Sequence, residues 1–193
     1  EGSTASPDPD APEYEFFPAV LFPMGMMHIM AYNRVVFDLP VSPSEFLDQL
    51  DAAYEIERDV NDPVPQTKGT VCLYLDGAWH RMELPESDGD RSVDQLDVAR
   101  LSEYVLEPML DITDPRRDAN IDFVGGIRGT GELETRVDDG RASLAISMYP
   151  TAIEELLDVS DEGDLMPPKS TWFEPKLRSG LLVHDFADDV DGA

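Results

Sequence analysis

Residues 70–84 read Thr70-Val-Cys-Leu-Tyr-Leu-Asp-Gly-Ala-Trp-His-Arg-Met-Glu-Leu84, and they give the clearest indication of a β-sheet in the chain. Two runs rich in β-branched, aromatic and aliphatic residues, at 70–75 and 79–84, flank the pair Asp76-Gly77. An Asp-Gly pair in this position favours a tight hairpin turn, because both residues tolerate positive φ. The sequence therefore predicts two adjacent antiparallel strands.

Further strands and helices alternate along the chain on both sides of this hairpin. Strands are predicted at 17–22, 29–36, 121–124, 144–148 and 181–184, and helices at 42–54, 92–110, 131–137 and 151–157. We expect Ser42 to cap the first helix, and Thr151 with Glu154 to form a capping box on the last. The predicted fold is α+β, or mixed α/β, with a central sheet that contains the hairpin and a βαβαβ-like C-terminal half.

The composition predicts a single globular domain in a strongly acidic protein. The chain has 193 residues, 41% of them hydrophobic, and a formal net charge of −27. This length and apolar content suffice for one core, so we expect one domain over residues 13–187. Residues 1–12 and 188–193 are small and polar, and we expect them to be flexible.

The charge and the residue types also argue against several classes of function. A phosphate backbone is bound mainly by Lys and Arg, so nucleic acid is not an expected partner. The sequence shows no apolar run near the roughly 18 residues of a membrane span and no secretory signal, so we expect a cytoplasmic protein without a membrane partner. The one cysteine, Cys72, cannot form an internal disulfide, and no Cys/His spacing predicts a metal site.

Positive charge is scarce and is concentrated in one stretch, which we call the lysine block. It is Met166-Pro-Pro-Lys-Ser-Thr-Trp-Phe-Glu-Pro-Lys-Leu-Arg-Ser-Gly180. Its ammonium, guanidinium and hydroxyl groups are suited to a phosphate or a carboxylate, and they belong to Lys169, Ser170, Thr171, Lys176 and Arg178. The alternative is that Trp172 and Phe173 pack in the core while the cations pair with nearby carboxylates. Glu174 is a candidate base or metal ligand, with a plain ion pair as its alternative.

A second candidate site is the glycine-rich turn Gly125-Gly-Ile-Arg-Gly129, which follows the strand predicted at 121–124. Gly125, Gly126 and Gly129 can expose backbone N–H groups to an anion at the start of the next helix, and Arg128 can add a bidentate contact. The pattern is neither a Walker A sequence nor a dinucleotide fingerprint, so a tight structural turn remains the alternative.

Six runs of sequence carry a resemblance to a known family over about residues 14–186. They are Tyr32-Asn-Arg-Val-Val36, Thr67-Lys-Gly69, Leu96-Asp-Val98, Phe123-Val-Gly-Gly-Ile-Arg-Gly129, Tyr149-Pro-Thr-Ala-Ile-Glu-Glu-Leu156 and the lysine block. They resemble the C-terminal half of an uncharacterised microbial family, domain of unknown function 1015, whose genes often lie beside those for phosphoserine synthesis. The matched runs add Asn33, Arg34 and Lys68 as further candidate ligand-binding residues.

The resemblance also implies a partner for this chain, namely the family's N-terminal half. That half carries an Asp-Gly-His-His-Arg segment similar to the nucleotide- or phosphate-handling motif of ParB-like and free-serine-kinase proteins. The segment does not occur in this sequence, which predicts that the chain is a fragment of a longer protein and argues against independent catalysis.

Two hypotheses on function remain. In the first, the chain is part of an enzyme of amino-acid metabolism and binds a small phosphorylated or carboxylated metabolite, with serine-linked phosphoryl transfer as the specific form. Arg128, Lys169 and Lys176 would then neutralise the ligand. In the second, the chain is a non-catalytic scaffold whose motifs serve packing and turns. A cleft between the glycine turn and the lysine block favours the first hypothesis.

Overall fold

The computed structural model describes residues 15–185, and its regular elements follow one another along the chain. They are a 3₁₀ turn at Met24–Met26, strands β1 (His28–Met30) and β2 (Tyr32–Val36), helix α1 (Pro43–Ala53), strands β3 (Ile56–Glu57), β4 (Thr70–Leu75) and β5 (Ala78–Glu83), helix α2 (Asp97–Leu101), a π-helical segment Ser102–Leu106, helix α3 (Glu107–Leu110), strand β6 (Ile121–Gly125), a 3₁₀ turn Gly126–Arg128, helix α4 (Gly129–Asp138), strand β7 (Leu144–Met148), helix α5 (Ile153–Asp161) and strand β8 (Trp172–Glu174).

Contacts divide the described residues into two units. His28–Glu174 form one unit, and residues 15–27 and 175–185 belong to the other. Every strand and α-helix of the described part lies in the first unit. The segments 1–12 and 188–193, which we expect to be flexible, lie outside the described residues.

Six strands form the central sheet in the order β3-β5-β4-β7-β2-β6, while β1 and β8 form a separate pair. All neighbouring strands are antiparallel, and the predicted hairpin is confirmed, with Leu75 paired to Ala78 and Tyr74 to Trp79. Asp76 and Gly77 have φ of 53° and 79°, which is the type I′ geometry that matches strand twist. The α+β fold class with a central sheet is therefore confirmed.

Side chains alternate between the two faces of this sheet, and each face is covered by different helices. On the first face, Val36, Leu73 and Ile146 pack with Phe46 of α1 and Leu101 of α2. On the second face, Val35, Tyr74, Trp79 and Ala145 pack with Leu133 of α4. Residues in β2 therefore project alternately to the two faces, which separates Tyr32 and Arg34 from Asn33 and Val35.

Several predicted helices are present with altered boundaries. Ser42 caps α1 as predicted, since its Oγ accepts the Glu45 N–H at 3.3 Å. The predicted helix 92–110 begins at Asp97 instead and contains a π-helical segment just before Pro108, whose ring cannot fit a regular helix interior and which has no N–H.

The predicted cap of α5 is wrong by one residue. Ala152 is the N-cap, and its N–H donates to Glu155 Oε2 at 2.8 Å, so that Glu155 takes the position predicted for Glu154. The Thr151 hydroxyl donates to the Ser170 carbonyl at 3.1 Å, so it is engaged in a tertiary hydrogen bond.

Three strand predictions differ from the structure. The predicted strand 29–36 is divided at Ala31 into β1 and β2, which belong to different sheets. The strands predicted at 17–22 and 181–184 are wrong, because neither segment has strand structure. In the C-terminal half, β6, α4 and β7 form a βαβ unit with β2 between its strands, while β8 pairs with β1.

Candidate functional site

Arg34 lies at the centre of a group of aromatic and cationic side chains that we call the arginine cluster: Tyr32, Arg34, Phe123, Lys169 and Trp172. The guanidinium carbon of Arg34 lies 5.6 Å from the centroid of the Phe123 ring, opposite it on β6. Arg34 Nη1 donates to the Tyr32 carbonyl, and Nη2 donates to the Lys169 carbonyl at 3.4 Å. These contacts fix the side chain against the first face of the sheet.

The charge of Arg34 has no acidic partner in the described part of the chain. Most of the 14 Lys and Arg side chains lie within ion-pair distance of a carboxylate. Arg34 is only 3% exposed, and within residues 15–185 it has no such ion pair. Burial lowers the pKa of its guanidinium from 12.5 to about 10, so the group is still cationic at neutral pH.

Lys169 supplies a second cation to the arginine cluster. Its Nζ lies 5.2 Å from the centroid of the Tyr32 ring, which is within the range of a cation–π contact. The side chain is exposed, and no carboxylate in residues 15–185 lies within ion-pair distance of it. Its φ of 56° is in the left-handed region, which a non-glycine residue occupies at some cost.

Trp172 connects the lysine block to the glycine turn. Its ring centroid lies 5.2 Å from that of Tyr32, and its Nε1 donates to Glu174 Oε1 at 2.6 Å. A Cβ atom on Gly125 would overlap the Trp172 ring, and a Cβ on Gly126 would lie 2.7 Å from the Ala31 carbonyl oxygen. The first two glycines of the turn therefore permit close packing.

The glycine turn itself offers fewer free groups than its sequence indicates. The Gly126 N–H donates to the Ala31 carbonyl at 2.8 Å, and the Gly129 N–H donates to the Gly126 carbonyl, so neither is available to an anion. Arg128 is 60% exposed, and its Nη1 lies 3.7 Å from Glu132 Oε1. The cation nearest to the lysine block in the matched runs is thus Arg34 rather than Arg128.

The remaining predicted residues fall in several places. Ser170 is buried and its Oγ donates to the Pro167 carbonyl at 2.6 Å, while Thr171 is half-buried just before β8. Lys176 and Arg178 belong to the second unit of the structure. Lys68 Nζ forms an ion pair with Glu155 Oε1 at 2.6 Å.

A buried ion pair joins two of the matched runs, and sequence reasoning did not identify it. Both carboxylate oxygens of Asp97 accept the Gly69 N–H at 2.9 Å, and Arg100 Nη1 lies 3.6 Å from Asp97 Oδ1. Arg100 Nε also donates to the Pro85 carbonyl at 2.6 Å. Burial raises the pKa of the Asp97 carboxyl, and the Gly69 N–H opposes this shift. These contacts give the runs at 67–69 and 96–98 a structural role.

A cavity of about 220 Å³ opens on the second face of the sheet, where α4 begins. Its lining includes three predicted residues, Asn33, Gly126 and Gly129, together with Ser147 of β7. No sequence motif marks Ser147. A polar residue in the otherwise apolar strand β7, beside Asn33 of the neighbouring strand β2, could have been recognised only if the pairing of β2 with β7 had been predicted.

A wider depression of about 550 Å³ has four acidic residues in its lining, Asp94, Glu103, Glu107 and Asp114, against one cation, Arg116. Its negative charge repels the anionic ligands that the cation-rich motifs predict. The arginine cluster is therefore the better candidate for an anion.

Comparison with known protein families places the chain in one of them. The family model described as "Protein of unknown function (DUF1015)" matches residues 2–99, about half of the chain. The chain belongs to the DUF1015 family. Its position within longer DUF1015 proteins stays a prediction, as does the neighbourhood of their genes. No curated protein matches the sequence.

Three solved structures match this DUF1015 chain in part. One is a free serine kinase in complex with AMP, and another is a mutant of that kinase, also with AMP. Each is 12% identical to the chain, with a TM-score of 0.45, and the alignment covers 78% of this chain. The chain spans 55% of the length of the kinase chains it matches. None of the helices in residues 15–185 has the length and apolar character that a bilayer-spanning helix needs.

Proposed function

We propose that this DUF1015 chain binds a small phosphorylated or carboxylated metabolite, and that the anionic group of the metabolite contacts Arg34 and Lys169. The observation that carries the proposal is the buried guanidinium of Arg34, which is 3% exposed and has no carboxylate within ion-pair distance in the described residues. In a protein with a net charge of −27, an unpaired buried cation is unusual, since acidic partners are abundant.

The free-energy cost of burying the Arg34 charge in the ligand-free protein supports this proposal. The pKa of Arg34 falls from 12.5 to about 10 because of burial. At about 1.4 kcal/mol per pKa unit, holding the cation in this site costs on the order of 3 kcal/mol at neutral pH. An anion beside the guanidinium offsets that cost and adds charge-assisted hydrogen bonds. Perturbed groups of this kind are enriched at functional sites.

The surroundings of Arg34 limit which part of a ligand can reach it. A cavity of about 50 Å³ beside the side chain is lined by Phe123, Pro167 and Pro168. At roughly 10–15 Å³ per water, it holds a few waters or one small oxyanion group. Only a phosphate or carboxylate group of a metabolite is therefore expected to enter, and Lys169 at the surface is available to the rest of the ligand.

Serine-linked phosphoryl transfer is the specific form of this proposal. It determines the choice of ligands for the test, which are inorganic phosphate, L-serine, O-phosphoserine and AMP. The cytoplasm is the proposed location, and the N-terminal half of longer DUF1015 proteins is the proposed partner that would supply the remaining catalytic groups.

The second candidate is a non-catalytic scaffold. It is favoured by the glycine turn, where Gly125 and Gly126 are explained by packing, and by the ion pairs of Lys68 and Arg128. The two functions make different predictions for ligand-dependent stability.

The decisive experiment is a thermal-shift titration of the chain with these four compounds, each against sodium chloride at equal ionic strength. At a ligand concentration about 100 times the dissociation constant, binding adds about 2.7 kcal/mol, or roughly 5–10 °C in Tm. We expect at least one compound to raise the Tm of the wild type, and Arg34→Met and Lys169→Gln to reduce that shift.

Arg128→Gln is the matched control, because Arg128 is an exposed cation paired with Glu132. It should leave the ligand-dependent shift unchanged. Equal shifts in all four proteins would mean nonspecific screening of the acidic surface. If no compound shifts the Tm of the wild type, the scaffold is the better description of the chain.

A further inference from the structure

The cavity on the second face of the sheet has the properties of a separate binding site. Its volume of about 220 Å³ is below the roughly 300–1,000 Å³ of pockets for drug-sized ligands, so only a small molecule fits. Much of its wall is apolar and comes from Ile29, Met30, Val64 and Pro150. Its lining includes no Lys, Arg, Asp or Glu, unlike the surroundings of Lys169.

Two buried polar side chains in this wall have groups without a partner. Ser147 is 2% exposed, and its hydroxyl makes no hydrogen bond with any residue in the described range 15–185. Asn33 is 4% exposed, and its Oδ1 accepts the Met148 N–H at 3.0 Å. Because that oxygen faces a backbone donor, the other end of the Asn33 amide is the NH₂ group, which has no acceptor among the same residues. Neither group is sealed from the cavity, so each can hydrogen-bond to water there, and an acceptor atom of a ligand can replace that water.

The position of α4 adds a third favourable feature for an acceptor atom. The helix runs from Gly129 to Asp138, and its second residue, Thr130, lines the cavity. The positive end of the helix dipole therefore lies at the cavity wall. The Asn33 NH₂ and the Ser147 hydroxyl come from β2 and β7, which are neighbours in the sheet, so all three features meet at one place.

We infer that this cavity binds a small, mainly apolar molecule through one carbonyl or carboxylate oxygen, which accepts hydrogen bonds from Asn33 Nδ2 and Ser147 Oγ. The apolar part of the molecule contacts Met30 and Pro150. A phosphate dianion is not a suitable ligand, since no cation lines the cavity to compensate its charge. This site is independent of the arginine cluster, which lies on the opposite face.

The test is an NMR titration of the full chain with two probes of equal shape, isovaleramide and isovalerate. We expect chemical-shift changes at Ser147, at Thr130 and at the side-chain NH₂ of Asn33, with dissociation constants of about 1 mM, as suits ligands of so few atoms. Comparing the affinities of the two probes shows whether the site prefers a neutral carbonyl or a carboxylate. Saturable chemical-shift changes at these residues with either probe support the site.

Ser147→Ala removes the hydroxyl alone. It should raise the dissociation constant of the tighter-binding probe about five-fold, which corresponds to the loss of one hydrogen bond. The Tm of the free protein should stay the same or rise, because the hydroxyl has no protein partner to lose. The control is Ser143→Ala, which removes a hydroxyl that donates to the Phe37 carbonyl at 2.7 Å. It should lower the Tm and leave probe binding unchanged.

Three results would overturn the inference: no shifts at the cavity residues with either probe, equal probe affinity in Ser147→Ala and wild type, or a fall in Tm for Ser147→Ala as large as that for Ser143→Ala. Arg34→Met should not change the probe titration, so the outcome does not depend on whether the arginine cluster binds an anion.

Discussion

Arg34 and Arg100 are both almost fully buried, yet we expect the same substitution, to methionine, to change the free energy of unfolding very differently at the two positions. Arg34 is 3% exposed and Arg100 is 7% exposed. Arg100 Nη1 lies 3.6 Å from Asp97 Oδ1, whereas Arg34 has no carboxylate within ion-pair distance in residues 15–185. The pair of variants therefore separates a compensated buried charge from an uncompensated one.

The expected change for Arg34→Met is small. Methionine removes a charge whose burial costs on the order of 3 kcal/mol, from the fall of the pKa to about 10. It also removes the hydrogen bonds to the carbonyls of Tyr32 and Lys169, which contribute about 1.5 kcal/mol each when the donor is charged. The two effects nearly cancel, so we expect a Tm within about 4 °C of the wild type, at roughly 2–4 °C per kcal/mol.

The expected change for Arg100→Met is large and destabilising. It leaves the Asp97 carboxylate buried without its cation, and removing one member of a buried ion pair costs about 3–5 kcal/mol. The Tm should fall by roughly 6–20 °C at the same 2–4 °C per kcal/mol. Both variants are to be measured by circular dichroism melting and urea unfolding near neutral pH, after dialysis into chloride buffer that contains no phosphate or carboxylate. If Arg34→Met is as unstable as Arg100→Met, Arg34 is a structural residue and the reasoning on its uncompensated charge is wrong.

Three further predictions concern the packing and titration of single residues. Gly125→Ala should lower the free energy of unfolding by about 1–3 kcal/mol in urea, because the new Cβ overlaps the Trp172 ring. The control is Gly131→Ala in α4, which has open space around it and should raise the free energy of unfolding by about 0.5–1 kcal/mol. Equal effects of the two substitutions would contradict the packing role of Gly125. Burial lowers the pKa of His80, so protonation is disfavoured in the folded state, and stability that is present above the unfolded pKa of about 6.5 should be lost as the pH falls below it. His80→Asn should show less of this acid-dependent loss, and parallel stability–pH curves for the two proteins would refute the assignment. Burial raises the pKa of the Cys72 thiol to about 11, so a thiol reagent at mildly alkaline pH should label the native protein only as fast as it unfolds, and rapid labelling would show that the thiol is accessible.

The parts of the fold that local chemistry determines could be predicted from the sequence. The Asp76-Gly77 turn fixes the hairpin register through its own backbone angles, and Ser42 caps α1 through a bond to a residue three positions later. Thr151 shows where this reasoning ends. Its hydroxyl is suitable as a cap, but Ser170 offers it a tertiary acceptor, which no local pattern reveals.

Apolar runs were less reliable guides, because a strand also needs a partner. Residues 17–22 and 181–184 have strand-like composition, yet Phe17 is 81% exposed and Val183 is 85% exposed, and neither segment pairs with another. Similarly, the residues 29–36 read as one strand, but their two halves join different sheets.

The candidate site was only partly visible in the sequence. The scarcity of cations pointed to the lysine block, and the structure does bring Lys169 against Tyr32 and Arg34. The sequence could not show that Arg34 has no ion-pair partner in residues 15–185 while Arg128 has one, because carboxylates lie close in sequence to the cations throughout so acidic a chain. Ion pairing depends on which side chains the fold brings together, and sequence proximity does not determine it.

The strand order has a consequence for any attempt to divide the protein. Residues 2–99, the part that the family model matches, contain β2 and β4, but β7, which lies between these two strands in the sheet, comes later in the chain. A polypeptide cut after residue 99 lacks both β7 and β6, so it would expose one edge of β4 and both edges of β2 where the intact protein has a continuous hydrogen-bond ladder, and such edges promote aggregation. Truncation at the end of the family-model match should therefore yield an insoluble product, because β7 must be present before the sheet can form.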